Sequence, residues 1–150
     1  THLALEASSH GLDQERLARM RFAAAGFTSF TRDHLDYHGG MVPYRNAKLS
    51  LFCTNLLPQG ARAVASAALD AETMREFEFA ASLGRLEVMV VRPEAWRALP
   101  HGQAFRFAGR EVEMALPGRF QADNALVAAM LAEAVGIADP LALLGRLAGV

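Results

Sequence analysis

Six side chains of the kinds that hold metal ions crowd the start of the chain: Glu6, His10, Asp33, His34, Asp36 and His38. Four of the five histidines fall within the first 38 residues. Glu6 sits at the end of one strand-like apolar run, and Asp33-His34 follows directly on another. If those runs form neighbouring strands, Glu6 and His34 can converge on one ion. Carboxylate plus imidazole without thiolate suits a hard or borderline divalent cation, with Mg²⁺ or Mn²⁺ favoured beside phosphates. In a plainer reading, Glu6 caps the next turn while His34 and His38 bond the loop backbone. The clustering at strand ends favours a site for metal-assisted chemistry on an anionic substrate.

A second chemical feature is a single amine. Fourteen of the fifteen basic residues are arginine, and Lys48 is the one lysine. Lysine differs from arginine in that its amine can lose its charge and can be modified covalently. Arg19 and Arg21 read as an ordinary solvated helix face, and Arg32 as an orienting partner of Asp33. His101 and Trp96 read as surface and packing residues. No Gly-x-x-x-x-Gly-Lys-Ser/Thr phosphate loop is present in the sequence.

The elements that must position these groups follow from periodicity. Residues 2–7 and 22–28 read as buried strands, with Ser8, Ser9 and Gly11 marking a turn after the first. Residues 13–20 form a short helical candidate, and a polar loop runs over 31–40. Apolar positions Tyr44, Ala47, Leu51 and Phe52 give helical spacing over 41–56, with Pro43 in the first turn. A strand over 61–66, a helix over 71–83 and a strand over 86–91 follow. Residues 103–107 and 111–115, split by Gly109-Arg110, predict a hairpin. A long helix over 118–135 closes at Gly136, and a last short helix spans 140–147. The alternation predicts an α/β layered domain with a mostly parallel sheet flanked by helices and a small antiparallel hairpin. Ligands of such sheets bind at the carboxyl ends of the strands, where the Ser8 turn and the 31–40 loop fall.

Composition bounds the rest. The chain has 150 residues, 52% hydrophobic and 21% charged, with 15 basic against 16 acidic side chains and a formal charge of −1. That suits one domain with a buried core, and it removes the electrostatic case for nucleic-acid binding. The single cysteine, Cys53, rules out a disulfide framework or a thiolate zinc cage and fits a reducing compartment. No signal peptide or membrane-spanning apolar run is evident. The chain opens inside a strand-like run and closes without a clear terminus, so the expectation is a piece of a larger protein.

The segment Glu6-Ala7-Ser8-Ser9-His10-Gly11-Leu12, the run from Phe27 through Asp33-His34-Leu35-Asp36-Tyr37-His38-Gly39, and then Tyr44, Ala47-Lys48 and Leu51-Phe52 together carry a specific resemblance. They resemble the central domain of the Mur ligases, of the kind that adds the third peptide residue to UDP-N-acetylmuramoyl-L-alanyl-D-glutamate. A second stretch, Leu116-Pro117-Gly118-Arg119-Phe120-Gln121-Ala122-Asp123-Asn124-Ala125, resembles the start of that family's adenine-side helix. The resemblance makes residues 1–150 a partial central ATPase domain lacking its first strand and phosphate loop.

The resemblance implies an ATP-dependent, ADP-forming amide ligase of bacterial peptidoglycan synthesis, cytoplasmic, monomeric as a whole protein and without a membrane or nucleic-acid partner. Phosphate would pass from ATP to the D-glutamyl carboxylate, and the amine of meso-diaminopimelate or L-lysine would attack the acyl phosphate. By motif, Glu6 and His34 correspond to Mg²⁺ ligands, and Ser8, Gln14 and Arg16 to contacts with the UDP-muramoyl dipeptide. Asn124 corresponds to the adenine contact. Lys48 corresponds to a lysine that reacts with CO₂, turning a cation into a carboxylate-like donor that supports Mg²⁺; in a fragment it is expected unmodified. The sequence departs from the family at Ser29 and Gln121, each in place of Asn, and over 64–70, where Asn-x-Asp-Asp is absent. Rival readings are a sister ligase, such as the one adding the terminal dipeptide or a folylpolyglutamate synthase, and a non-catalytic α/β binding module.

Overall fold

The computed structural model describes residues 2–31 and 35–147. Three parallel strands form the central sheet in the order β1 (Ala24–Phe27), β2 (Arg62–Ser66), β3 (Glu87–Val91). Alternation along these strands builds two cores. Ala25 and Phe27, in register with Ala63 and Ala65, point to one face. There they meet Leu49, Leu51 and Phe52 of α3 (Met41–Cys53) and Phe77, Ala80 and Ala81 of α4 (Ala71–Leu83). Val64 and Val91 point the other way, onto Leu126, Val127 and Met130 of α5 (Arg119–Ala134). At Gly26 a Cβ would come within 2.5 Å of Val127 Cγ1, so the absent side chain lets α5 approach β1. The result is a three-layer α/β/α arrangement, as the alternation of elements predicts.

Helix α4 starts where Asp70 accepts from the Thr73 backbone N–H, an N-cap that satisfies one orphan donor. Buried Arg45 on α3 donates to Glu72 on α4 at 2.7 Å, tying the two helices together. That hydrogen bond holds the Glu72 carboxyl below the usual carboxylate range.

Three sequence expectations need correction. Residues 2–7 form no strand: they run extended but unpaired, with Leu3 83% and Leu5 50% exposed. Residues 2–5 line a groove of about 520 Å³ together with Phe22, Gly26, Leu131 and Val135, so the β1 edge lies across open space from them. A strand exists only where a ladder partner is within bonding distance, and apolar composition cannot supply one. The helix expected over 13–20 is instead α1 (Ser9–Asp13), followed by turns. Ser8 caps it early, and Glu15, at φ +53°, interrupts the helical path. The polar loop also contains one turn of helix, α2 (Leu35–His38).

The expected hairpin forms as β5 (Gly102–Phe107) and β6 (Arg110–Met114), and a further strand, β4 (Glu94–Leu99), extends it to a three-stranded antiparallel sheet. β4 is largely exposed, with Pro93 and Pro100 at its ends, so it lacks the apolar alternation that marks a strand. This sheet buries Phe105, Val112 and Met114 beside α5 and α6 (Pro140–Leu144). Gly102, at φ +149°, sits where a Cβ would lie 2.1 Å from the Met114 carbonyl oxygen. Gly102→Ala is therefore expected to cost at least about 2 kcal/mol in urea unfolding, since backbone on both sides resists the shift. A loss below about 0.5 kcal/mol would contradict that packing. No described helix is long and apolar enough to cross a membrane.

Candidate active site

The carboxyl end of β1 leads through residues 28–31 toward α2, and α2 lies against α1 and the first turns of α3. Ser8 begins the assembly. Its extended backbone precedes α1, and its Oγ accepts from the Gly11 N–H at 3.1 Å. A Cβ on Gly11 would lie 3.1 Å from that oxygen, so glycine keeps the cap close. Ser9, 2% exposed, hydrogen-bonds His38 Nε2 at 3.0 Å and so joins α1 to α2.

Aromatic rings fill the seam. The centroids of His10 and Tyr37 are 4.0 Å apart, those of Tyr37 and His38 4.8 Å, and those of His38 and Tyr44 5.3 Å. Tyr37 Oη donates to Asp13 Oδ2 at 3.0 Å and accepts from Gln14 Nε2 at 3.0 Å. Lys48 lies one helical turn after Tyr44, on the same face of α3. Its Nζ stands 5.1 Å from the Tyr44 ring centroid, in cation–π range, and the side chain is half-buried. The lysine therefore borders the same cluster that holds Gln14.

Arg16 is exposed in the turns after α1. Glu6 is exposed in the extended segment before it, and its expected strand does not form. His34, with Asp33 and Arg32, lies outside the described residues. Among the described residues no group of three His, Cys, Asp or Glu is close enough to hold a metal ion. Glu6 and Lys48 thus fit a Mg²⁺ site as oxygen donors only if Lys48 carries a carboxylate and a further ligand comes from elsewhere. That is the donor chemistry Mg²⁺ requires.

Asn124 is half-buried on the first turns of α5, at the end of β2. Its neighbour Asp123, 7% exposed, accepts from Ser66 Oγ at 3.1 Å, while the same Oγ accepts from the Ala68 N–H. Ser66 stands in the stretch that departs from the Asn-x-Asp-Asp pattern, and here it pins the start of α5 to the sheet. Ser66→Ala is expected to destabilise the domain by about 1–3 kcal/mol, because the buried Asp123 carboxyl loses a donor. Urea unfolding checks it, and an unchanged midpoint would show that the pair contributes nothing.

Sequence reasoning did not single out Ser9, Asp13 and Tyr37 as members of the cluster, and it gave Tyr44 as a helical apolar position and part of the family motif, with no contact to Lys48. The i, i+4 spacing of Tyr44 and Lys48 was the available sign. The Ser9–His38 and Asp13–Tyr37 bonds span 29 and 24 residues, distances over which sequence carries no local pattern.

Comparison with known proteins gives the chain its relatives. The profile of the family described as "Mur ligase middle domain" matches residues 1–132. The UDP-N-acetylmuramoyl-L-alanyl-D-glutamate–2,6-diaminopimelate ligase of Caulobacter vibrioides is 45% identical over 91% of the chain and 30% of its own length. The enzyme of the same name from Brucella melitensis is 43% identical over the same shares. A solved structure of a ligase with that name superposes with a TM-score of 0.82 at 27% identity, over 97% of this chain and 32% of the other. MurF from Acinetobacter baumannii, at 21% identity and a TM-score of 0.68, shares the fold. The chain spans about a third of the length of the relatives it matches.

Proposed function

The chain belongs to the Mur ligase family through its middle domain, and from that premise we propose that it serves an ATP-dependent, ADP-forming amide ligase. In this reading the full-length protein joins 2,6-diaminopimelate to the D-glutamyl carboxylate of UDP-N-acetylmuramoyl-L-alanyl-D-glutamate. The diaminopimelate choice over L-lysine rests on the relatives, which carry that amino acid in their names at 43–45% identity. The single observation that supports the site reading is that Gln14, bonded to Tyr37, and the lone Lys48, over the Tyr44 ring, border one aromatic seam between α1, α2 and α3.

The roles divide by chemistry. The γ-phosphoryl of ATP passes to a carboxylate oxygen of D-glutamate; the amine then attacks the carbonyl carbon, and phosphate leaves with that oxygen. Ser8, Gln14 and Arg16 bind the UDP-muramoyl dipeptide, with Arg16 supplying a fixed positive charge toward an anionic substrate. Asn124 presents its amide to adenine, held in place by the neighbouring Asp123–Ser66 pair. Glu6, His34 and a carbamylated Lys48 would hold Mg²⁺, which offsets negative charge on the phosphates and carboxylate. Carbamylation converts the Lys48 amine and CO₂ into a carbamate and a proton, leaving two oxygens where a cation stood. Arginine cannot undergo this change, and glutamate is too short to match its reach.

Steady-state ADP release by the full-length protein tests the proposal. ADP is expected to form only with UDP-N-acetylmuramoyl-L-alanyl-D-glutamate, Mg²⁺ and diaminopimelate together. L-Lysine is expected to give a kcat/KM lower by about 100-fold or more, since a site built for a second carboxylate is left with unpaired polar groups. Equal or faster turnover with the UDP-muramoyl tripeptide and a dipeptide, or with a folate and glutamate, would assign a sister activity. Tight Mg²⁺-dependent binding of the dipeptide without ADP release would mark a binding module.

A further inference from the structure

Gln14 ends α1, and its backbone is fixed by its N–H bonding the His10 carbonyl at 2.9 Å. Its side chain is also held, since Nε2 donates to Tyr37 Oη at 3.0 Å and that hydroxyl donates to Asp13 Oδ2 at 3.0 Å. The order of protons along this chain follows from Asp13. A carboxylate accepts and cannot donate, so the tyrosine proton points at Asp13 and only the oxygen's lone pairs face Gln14. The glutamine must therefore turn its NH₂ inward. Its carbonyl Oε1, which has no hydrogen bond among the described residues, is the end left to meet a ligand.

We infer that Tyr37 is a positioning residue that sets the direction of the Gln14 amide, so that Gln14 meets the UDP-muramoyl dipeptide as an acceptor for one of its N–H or O–H groups. The inference rests on the reading of Gln14 as a substrate contact. Tyr37 is suited to the task because its ring is anchored apart from its hydroxyl. It packs on His10 at 4.0 Å and edge-on to His38 at 4.8 Å, and His38 is itself fixed to buried Ser9. An exposed glutamine otherwise samples both amide orientations, and half of them would present NH₂ to a donor. Holding one orientation before binding removes that cost from the association step.

Three single variants of the full-length ligase and one double variant test the inference through the KM of each substrate and kcat. Tyr37→Phe keeps the ring and removes the hydroxyl. It is expected to raise the KM for the UDP-muramoyl dipeptide by about two- to tenfold. The KM for ATP, the KM for the diamino acid, and kcat stay near wild type. Asp13→Asn keeps every hydrogen bond possible but allows the asparagine to donate to Tyr37, which reverses the proton order and offers Gln14 a donor. It is expected to raise the same KM while leaving the melting temperature in place, a result a merely structural contact would not produce. Gln14→Ala raises that KM, and adding Tyr37→Phe to it has no further effect.

A normal dipeptide KM in both Tyr37→Phe and Asp13→Asn, with a raised one in Gln14→Ala, would overturn the inference and leave the substrate contact standing. An equal increase from Tyr37→Phe in the Gln14→Ala background would also overturn it, because Tyr37 would then act by another route. An unchanged KM in Gln14→Ala would overturn both this inference and the contact beneath it.

Discussion

Lys48→Ala in the full-length protein is expected to lower kcat of the proposed ligase reaction by about 100- to 1,000-fold, the scale of losing one preorganised electrostatic support of a phosphoryl or acyl transfer. The protein should still fold. Lys48 is half-buried on α3, alanine is a strong helix former, and the lost cation–π contact with Tyr44 is worth only about 0.5–1 kcal/mol. Formate or acetate, small enough to enter the space left by the side chain, is expected to restore part of the activity in proportion to its concentration. Lys48→Arg should be equally inactive and should not respond, because a guanidinium fills the space and leaves a cation in it. Initial rates of ADP release with and without added carboxylate read this directly. Undiminished activity in Lys48→Ala would remove the carbamate from the mechanism.

The largest effect on stability is expected at Phe77. This side chain is fully buried and sits edge-on to Phe52, with centroids 4.9 Å apart at 80°, and tilted against Phe27 at 6.3 Å. Truncation to alanine removes aromatic burial and leaves a cavity between α4, α3 and the sheet, at a cost of about 3–5 kcal/mol. A domain stable by about 5–15 kcal/mol loses much of its margin to such a change. The damage should reach the site. Phe52 lies one turn after Lys48 on α3, so the same aromatic cluster seats the helix that carries the lysine. Urea unfolding monitored by circular dichroism checks the value. A loss below about 1 kcal/mol would mean that the cluster repacks around the vacancy.

What could be read from the sequence was local. Helix α4 and strands β2 and β3 stood out because each is set by apolar spacing along a short stretch. The same held for α5, closed by Gly136 at φ +86°. What could not be read depended on partners. Residues 2–7 have strand composition but no neighbour to pair with, and β4 has a neighbour but little apolar character. The candidate site divides along the same line. Glu6, Ser8, Gln14, Arg16, Lys48 and Asn124 are visible as residue types in a specific motif context. The proton order through Asp13 and Tyr37 and the Ser66–Asp123 anchor exist only once the chain has folded back on itself.

The central claim is that this domain serves a ligase that activates the D-glutamyl carboxylate by phosphorylation, and an isotope experiment tests it most directly. The full-length protein is supplied with ATP, Mg²⁺, diaminopimelate and UDP-N-acetylmuramoyl-L-alanyl-D-glutamate carrying ¹⁸O in the reacting carboxylate, and the released phosphate is analysed by mass spectrometry. An acyl phosphate requires one carboxylate oxygen to leave with the phosphorus, so labelled phosphate is expected in step with amide formation. Unlabelled phosphate accompanying amide formation would contradict the account.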